Sequence, residues 1–495
     1  MEKPPQIPIS DSDWHSTPVA VQALVVTLLQ GMERVGHLEQ VVEQQAARIA
    51  SLETELARRK GRGSRGAKAS TSESGSQTSR RSGKRRASGR SPGGQPGHEG
   101  HGRSLVSVEQ VDQLVPCRPS TCQGCGQPLT GDDPHPRRHQ EVVIPPVRAQ
   151  IVEYQFHTLR CAHCDTLTEA PWPEGVSRRT FGPSVQAWVG LLSGAYRLSK
   201  RNLVALLNDA FGVRLSLGSV SQLEQEVSAA IAEPVEAARD YVRQQPVVNL
   251  DETGWWQHRL RAWLWVAVTA GVTVFVIRRS RSREVVDELL GEDNTAIVGS
   301  DRYSAYAHLP LSRRQVCWAH LRRTFEDFAA RTGEAATTGQ QLLQYTDQMF
   351  TWWHRIRDGT LQRSSFQVYV SQLRSQIRYQ LWYGQQFADA KTAATCGNLL
   401  DVEPALWTFA RPHGTVEPTN NSAERGLRFG VLWRHTSFGT HSPEGSRFVE
   451  RMLTVRDTLR QQQRDVLDYL TTACEAALQH HPAPSLLPQR TLRSS

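Results

Sequence analysis

From Arg58 to Gly94 the chain reads RRKGRGSRGAKASTSESGSQTSRRSGKRRASGRSPGG, a run of Ser, Gly, Arg and Lys with almost no apolar residue. Such a stretch cannot bury enough surface to offset the entropy of ordering it. It predicts a disordered linker and divides the 495-residue chain into parts that must fold separately. Charge sharpens the division: between Ala57 and Ser104 there are 13 Lys or Arg against 2 Asp or Glu, a local +11 within a net +9, which leaves −2 for the remainder. The basic character therefore belongs to one segment, set at residues 61–104. Attraction to a polyanion is its obvious use, although a solubilising linker without a partner has the same composition.

Ahead of the linker, over residues 18–60, apolar side chains recur every seven positions. Val21, Leu28, Val35, Val42, Ile49 and Leu56 fall on one seam position, and Leu24, Gly31, Leu38, Gln45 and Leu52 on the other. Mostly β-branched residues at a and leucine at d predict a parallel two-stranded coiled coil, with Gln45 restricting register, and hence a homodimer. No apolar run reaches the roughly 18 residues of a membrane span, and the first residues, MEKPPQIPISDSDW, lack the pattern of a signal peptide. An intracellular protein without membrane contact is expected.

Eight cysteines are too sparse for a secreted disulfide scaffold, and four stand in two CxxC pairs, Cys122/Cys125 and Cys161/Cys164. Two such knuckles deliver four thiolates to one structural Zn²⁺, so residues 105–175 are expected to form a zinc finger that binds DNA. Cys117, His139 and His163 are substitute ligands of less regular spacing, and a redox CxxC is the rival reading. The intervening QEVVIPPVRAQIVEYQFHTLRC alternates like a β-hairpin. Over 181–245 the pattern is helical. Helix, glycine turn and second helix there fit either a helix-turn-helix, with Ser219, Ser221 and Gln222 facing a groove, or a plain bundle.

Beyond Pro246 the period changes. The strand VVNLD ends in Asp251, two apolar β-rich runs and the helical SREVVDELLG come next, and TAIVGSD ends in Asp301. This order predicts a mixed sheet covered by helices in which the first and fourth strands lie side by side, bringing Asp251 next to Asp301. Adjacent buried carboxylates repel, and a hard divalent cation relieves the repulsion; a pair of such ions clamps the attacking and leaving oxygens of a phosphoryl displacement. Each Asp read alone is equally well a polar strand end. A third acid is offered by Glu424 in TNNSAERGLR, where Asn421 as N-cap with Glu424 three residues on also makes a capping box that needs no chemistry.

Taken together, the early zipper, GGQPGHEGHGR, the paired CxxC finger, LDET, GSDRYSAY, CWAHLRR and TNNSAERGLR occur in an order that resembles the IS66 family of transposases over nearly the whole chain. The resemblance implies an α/β, RNase H-like DDE domain over 246–440 with a helical insertion at about 324–415, and Asp251, Asp301 and Glu424 as its three catalytic, magnesium-binding acids. Two Mg²⁺ ions, replaceable by Mn²⁺, would be held there. Helical spacing within the insertion agrees: Leu342, Tyr345, Met349, Trp353, Ile356 and then Phe366, Val370, Leu373, Ile377, Leu381 read as core.

Cys317 and His320 of CWAH stand where other DDE transposases carry C-x-x-H, and are read as active-site support. Arg322, Arg323, Arg428 and Arg434 are the candidate DNA contacts, exposed helix arginines being the plain alternative. One departure from the family pattern is Arg434-His435 in place of Arg-Lys. A C-terminal helical region at 441–480 and a disordered tail at 481–495 complete the division. The implied activity is metal-dependent 3′-end cleavage and strand transfer on double-stranded DNA, at the bacterial nucleoid in the cytoplasm and with small accessory proteins. The alternatives are a non-catalytic zinc-dependent DNA-binding regulator or decayed transposase, and an RNase H-fold nuclease.

Overall fold

The computed structural model describes residues 4, 10–19, 21, 22, 25, 104–174, 176, 178–412 and 415–488. The expected coiled coil and basic linker therefore lie almost wholly outside the described residues. The chain divides into two compact units, residues 1–140 and 141–495. Within the first, α1 (Asp11–Ser16) starts at Ser10, whose hydroxyl accepts the Asp13 N–H at 3.1 Å, and the first CxxC pair forms a tight turn further along.

In the second unit the expected hairpin between the two CxxC pairs does not form. Residues 141–157 make no ladder, and Val143, Ile144 and Ile151 are exposed. Pro145 and Pro146 remove two consecutive N–H donors from the middle of the run, so its alternation has no partner to act on. The strands that do form, β1 (Thr158–Arg160) and β2 (Leu167–Glu169), pair antiparallel around the second CxxC pair.

A helical layer comes next: α2 (Pro183–Gly190), prolonged by a π turn over Leu191–Ala195, then α3 (Lys200–Phe211), α4 (Leu217–Ala230) and α5 (Ala232–Arg243). Gly212 ends α3 in the left-handed region at φ 71°, and the hydroxyls of Ser199 and Ser216 cap α3 and α4. The α3–α4 hairpin closes on Leu203, Leu207, Leu215, Val220 and Leu223. Ser219 bonds Ser216, Ser221 takes a bond from Lys200, and Gln222 donates to Glu226, so all three candidate groove residues are engaged within the helical layer. The layer is continuous with the sheet. Ala187, Leu191, Val235, Ala238 and Val242 share one core with the strands, so the boundary expected at 245 runs through packed side chains.

The sheet is built from β3 (Val247–Gln257), β4 (Leu260–Val268) and β5 (Thr273–Arg278), then α6 (Arg283–Leu290), β6 (Ile297–Ser300) and β7 (Arg314–Val316), in the order β5-β4-β3-β6-β7. β3, β4 and β5 form an antiparallel meander, whereas β6 pairs parallel with both β3 and β7. Helices on both faces explain the near-continuous apolar runs of β4 and β5, which have no solvated side.

After β7 come α7 (Trp318–Ala329), α8 (Glu334–Arg357), α9 (Arg363–Gly384), α10 (Ala390–Asp401) and α11 (Glu403–Leu406). They gather a second core in which Leu342, Met349 and Trp353 meet Phe366, Val370, Leu373, Ile377 and Leu381. The aromatic stripes are thus structural.

Of the three remaining helices, α12 (Asn421–Ser437) and α13 (Pro443–Gln461) return to the sheet, and α14 (Val466–Leu478) packs on α2 and α4 of the helical layer. Gly430 lets α12 lie close against β4, since a Cβ there would stand 2.3 Å from Leu264 Cδ2. The helix α13 covers the open edge of β5 by an unusual device: Thr458, Thr454 and Glu450 accept the backbone N–H groups of Thr273, Phe275 and Ile277 at 3.1, 3.0 and 2.5 Å. Side chains spaced four apart on a helix thereby replace the missing neighbour strand. The region expected as a separate C-terminal segment at 441–480 is consequently part of the sheet domain.

The tail is also ordered as far as residue 488. Leu486 is buried, Gln462 and Arg464 donate to the carbonyls of Leu486 and Ser485 at 2.8 and 2.9 Å, and the Tyr469 hydroxyl donates to Pro484 at 2.7 Å. The expectation of disorder from 481 fails because the carbonyls of Pro484, Ser485 and Leu486 and the Leu486 side chain meet a surface that local composition does not reveal. Among the described residues, no helix is long and apolar enough to cross a membrane.

Glu450 is buried and also pairs with Arg278 and Arg239 at 3.0 and 3.4 Å. Glu450→Ala is expected to cost about 2–4 kcal/mol by leaving the Ile277 N–H without an acceptor and removing one of the carboxylates held by Arg278, which keeps Glu288, and by Arg239, which keeps Glu236, whereas Thr454→Val should cost about 1–3 kcal/mol. Urea denaturation measures both. Equal stability of Glu450→Ala and wild type would show that the edge is held by packing alone.

Candidate active site

The site is assembled where β3 and β6 run parallel. Val247 lies opposite Ile297, Val248 opposite Val298 and Asn249 opposite Gly299; two residues further on, where this parallel ladder stops, stand Asp251 and Asp301, but β3 does not end at Asp251 as expected, since its antiparallel pairing with β4 carries it on to Gln257. Asp301 sits just past β6 and accepts the Tyr303 N–H at 2.8 Å, which turns the chain away from the sheet. Asp251 and Glu252 alternate across the pleat. Glu252 is buried and takes bonds from Arg281, at 2.8 Å, and from the Tyr306 hydroxyl, while Asp251 is half-buried on the other face.

Glu424 enters from the first turn of α12. It is not part of a capping box: Asn420, not Asn421, is the N-cap residue, and no side chain caps the helix. The Asn420 amide instead donates to the Leu250 carbonyl at 2.7 Å, and its backbone N–H donates to Cys317 Sγ at 3.1 Å. One buried asparagine therefore joins the strand of Asp251, the start of α7 and the helix of Glu424. The half-buried Glu424 carboxylate is left facing His320 Nδ1 at 3.5 Å and Arg323 at 3.4 Å.

Burial, with the nearby charges of Glu252, Asp301 and Glu424, pushes the Asp251 carboxyl up to about 7. Burial likewise raises the Cys317 thiol, opposed by backbone N–H groups of Asn420, His320 and Ala319, and burial together with Arg323 lowers the His320 imidazole. An all-oxygen set of three acids under mutual repulsion is the chemistry that suits a hard divalent cation.

The four arginines read from the sequence have different surroundings. Arg323 is beside Glu424 with its side chain exposed, and Arg428 is exposed on α12. Arg322 instead pairs with Asp347 and Glu326, facing the helical insertion, because its position on α7 points it away from the acids. Arg434 donates to the Gly254 carbonyl at 2.8 Å and the Thr253 hydroxyl at 3.2 Å, pinning α12 to β3. Residues that the sequence does not single out include Asn420, Arg281, Tyr306 and Arg314. Arg314 is buried near Asp301, whose charge opposes the effect of burial on the guanidinium. Tyr306 and Asn420 lie inside quoted motifs, but no local signal distinguishes their roles.

Each CxxC pair forms the same turn. Cys122 N–H donates to the Gln127 carbonyl and Gly126 N–H to the Cys122 carbonyl, at 2.8 and 2.9 Å; Cys161 to Thr166 and Asp165 to Cys161 repeat the pattern at 2.9 Å each. Gly126 and Asp165 occupy the same left-handed position, at φ 74° and 61°. Backbone N–H groups of Gly124 and Cys125 lower the Cys122 thiol, and the Thr166 hydroxyl and N–H lower that of Cys164. Cys125 and Cys161 are exposed free thiols, as is Cys117. Both turns thus have the form of a metal knuckle, N–H groups directed at sulfur.

A five-stranded mixed sheet with flanking helices and three acids at one end is consistent with an RNase H-like DDE domain. The pattern of the family described as Transposase IS66 family matches residues 178–447, more than half of the chain, and the chain belongs to this family. The chain is also similar to y4qI, an uncharacterised protein of Sinorhizobium fredii (strain NBRC 101917 / NGR234): 27% identity over 210 residues, covering 39% of this chain and 38% of that protein.

The raised Asp251 carboxyl gives a stability test. Between about pH 4 and 7 the unfolded chain has ionised this group while the folded chain keeps its proton, so stability falls as pH rises through this window. Asp251→Asn should therefore stabilise the metal-free protein above pH 7, on the order of 1–3 kcal/mol, with the gain vanishing near pH 4. Denaturant titration at the two pH values measures it, and an unchanged difference between them would contradict the crowding of these acids.

Proposed function

We propose that the protein is a DNA transposase that cleaves the 3′ ends of an insertion sequence and joins them to target DNA, with Asp251, Asp301 and Glu424 as its metal-binding catalytic acids. The observation that carries this reading is the convergence of the middle of β3, the end of β6 and the first turn of α12 in a chain of this family. Two Mg²⁺ or Mn²⁺ ions bound there would activate the nucleophile and stabilise charge during in-line displacement at phosphorus. Water attacks the scissile phosphodiester and the 3′ oxygen leaves; that 3′-OH then attacks a target phosphodiester, whose own 3′ oxygen leaves in turn.

The chain's residues supply rigidity and contacts. Glu252, Arg281 and Tyr306 lock β3 from behind, so the Asp251 carboxylate has one fixed direction. Asn420 keeps α12 in register with β3, and Cys317 and His320 support Glu424. Arg428 is exposed and available to phosphates, whereas Arg323, Arg322 and Arg434 would have to leave their present partners, Glu424 in the case of the exposed Arg323.

The remaining assignments complete the reading. Cys122, Cys125, Cys161 and Cys164 hold one structural Zn²⁺, and the finger over 105–175 binds terminal repeats together with the basic 61–104 segment and the α3–α4 hairpin. Residues 18–60 pair two chains as a coiled coil, which suits a protein that must hold two DNA ends, and small accessory proteins assist.

Asp251→Asn, Asp301→Asn and Glu424→Gln should each reduce end cleavage and strand transfer in Mg²⁺ by at least about 100-fold. A gel assay on labelled element ends measures both steps; full activity in any one variant removes that acid from the site. For the finger, Cys161→Ser is expected to release one equivalent of zinc and weaken binding to element ends, read by elemental analysis and a mobility shift. Retained zinc would discard the four-thiolate assignment.

A further inference from the structure

Beside the all-oxygen site stands a second donor set of different character. Cys317 Sγ, a ring nitrogen of His320 and a Glu424 carboxylate oxygen all lie within 4.8 Å of one another, and Nδ1 stands 3.5 Å from Oε1. Cys317 is the N-cap residue of α7 and His320 stands one turn along, so the C-x-x-H spacing puts thiol and imidazole on the same side of the helix start. Glu424 reaches them from α12, whose position relative to Cys317 is fixed by the Asn420 N–H on Sγ at 3.1 Å.

Two features of this group point to a ligand. His320 Nδ1 is closed off from solvent yet has no hydrogen-bond partner, since the Glu424 oxygen is too far for one. A buried ring nitrogen left in that state is destabilising unless something takes its lone pair. Cys317 Sγ, for its part, accepts the Asn420 backbone N–H at the start of the helix, so its sulfur already serves as an acceptor for a hydrogen-bond donor. Sulfur and imidazole are the softer donor types, and they face the same small volume.

The donor types choose the metal. Thiolate and imidazole are poor ligands for Mg²⁺ and good ones for Zn²⁺, and a Cys-His-carboxylate set leaves the fourth tetrahedral position open. Bonds of about 2.0–2.3 Å place tetrahedral ligand atoms roughly 3.3–3.8 Å apart, so the group need close by only about 1 Å to hold the ion.

We propose that Cys317, His320 and Glu424 form a zinc site separate from the oxygen site of Asp251 and Asp301, and that filling it withdraws Glu424 from the catalytic metals. The second half of this inference rests on Glu424 being the third acid; the first does not. Zinc and magnesium then compete for one carboxylate, and zinc acts as an inhibitor that excess Mg²⁺ relieves.

The test uses the full-length protein and the metals alone. After dialysis against buffered zinc, wild type should carry one equivalent more than Cys317→Ser or His320→Gln, whatever the zinc finger contributes to all three. Replacement by Co²⁺ should give a wild-type minus Cys317→Ser difference spectrum with a thiolate-to-cobalt charge-transfer band. Equal metal content and no difference spectrum in variants with wild-type circular dichroism would overturn the site and leave Cys317 and His320 as props for Glu424. Should either variant fail to fold, zinc X-ray absorption on the wild type decides: a component with one sulfur ligand supports the site, and an all-sulfur environment overturns it. The two readings fail separately. Full cleavage by Asp301→Asn with zinc still lost from Cys317→Ser removes the transposase reading only, whereas lost cleavage with unchanged zinc removes the zinc site only.

Discussion

Parallel pairing of β3 with β6 sets Asp251, within β3, beside Asp301, just past the end of β6, and its register determines on which side those aspartates emerge. A slip by one residue would turn Asp301 to the opposite face, since side chains alternate with a period of two. Two local features resist such a slip. Gly299 has no side chain because the Asn249 carboxamide occupies its place, a Cβ there standing 2.2 Å from Asn249 Oδ1. Asn420 then ties the same strand to α12 through the Leu250 carbonyl, so the helix that carries Glu424 is indexed to the ladder rather than merely packed on it.

The arrangement concentrates negative charge where the fold gains nothing from it. Asp251 is held near neutrality by its surroundings, and Arg302 and Arg314, both partly desolvated beside Asp301, offset only part of the repulsion. Stability is recovered elsewhere: in the shared core under the sheet, in the network of Glu252 behind Asp251, and in the separate core of the helical insertion. A strained charged site on a well-packed frame is the usual balance between activity and stability in enzymes.

Much of the sheet was legible in the sequence because run lengths and period changes mark strands directly, although the two acids and the glycine after Leu250 hid the continuation of β3 to Gln257. The stripes on α8 and α9 were legible for the same reason, hydrophobic spacing being a local property. What local patterns cannot carry is the identity of a distant partner. Asn421-x-x-Glu424 satisfies every local condition for a capping box, yet the chain begins the helix at Asn420, and that asparagine is taken up by Leu250, 170 residues away. Arg322 and Arg323 are adjacent in sequence and equal in composition, but a turn of about 100° along the helix sends one to Asp347 and the other to Glu424. The tail misread at 481–488 belongs to the same class, its anchors being Gln462, Arg464 and Tyr469.

The capping of β5 by α13 has a consequence for how the protein is made. Ile277 and the Glu450 carboxylate that receives its N–H are 173 residues apart. At synthesis rates of about 5–20 residues per second, the edge strand leaves the ribosome roughly 10–35 s before the helix that closes it. Throughout that interval the nascent meander presents a row of unpaired N–H groups and the apolar faces of Val274 and Val276. The growing chain, more than the finished one, is thus the form that needs a chaperone.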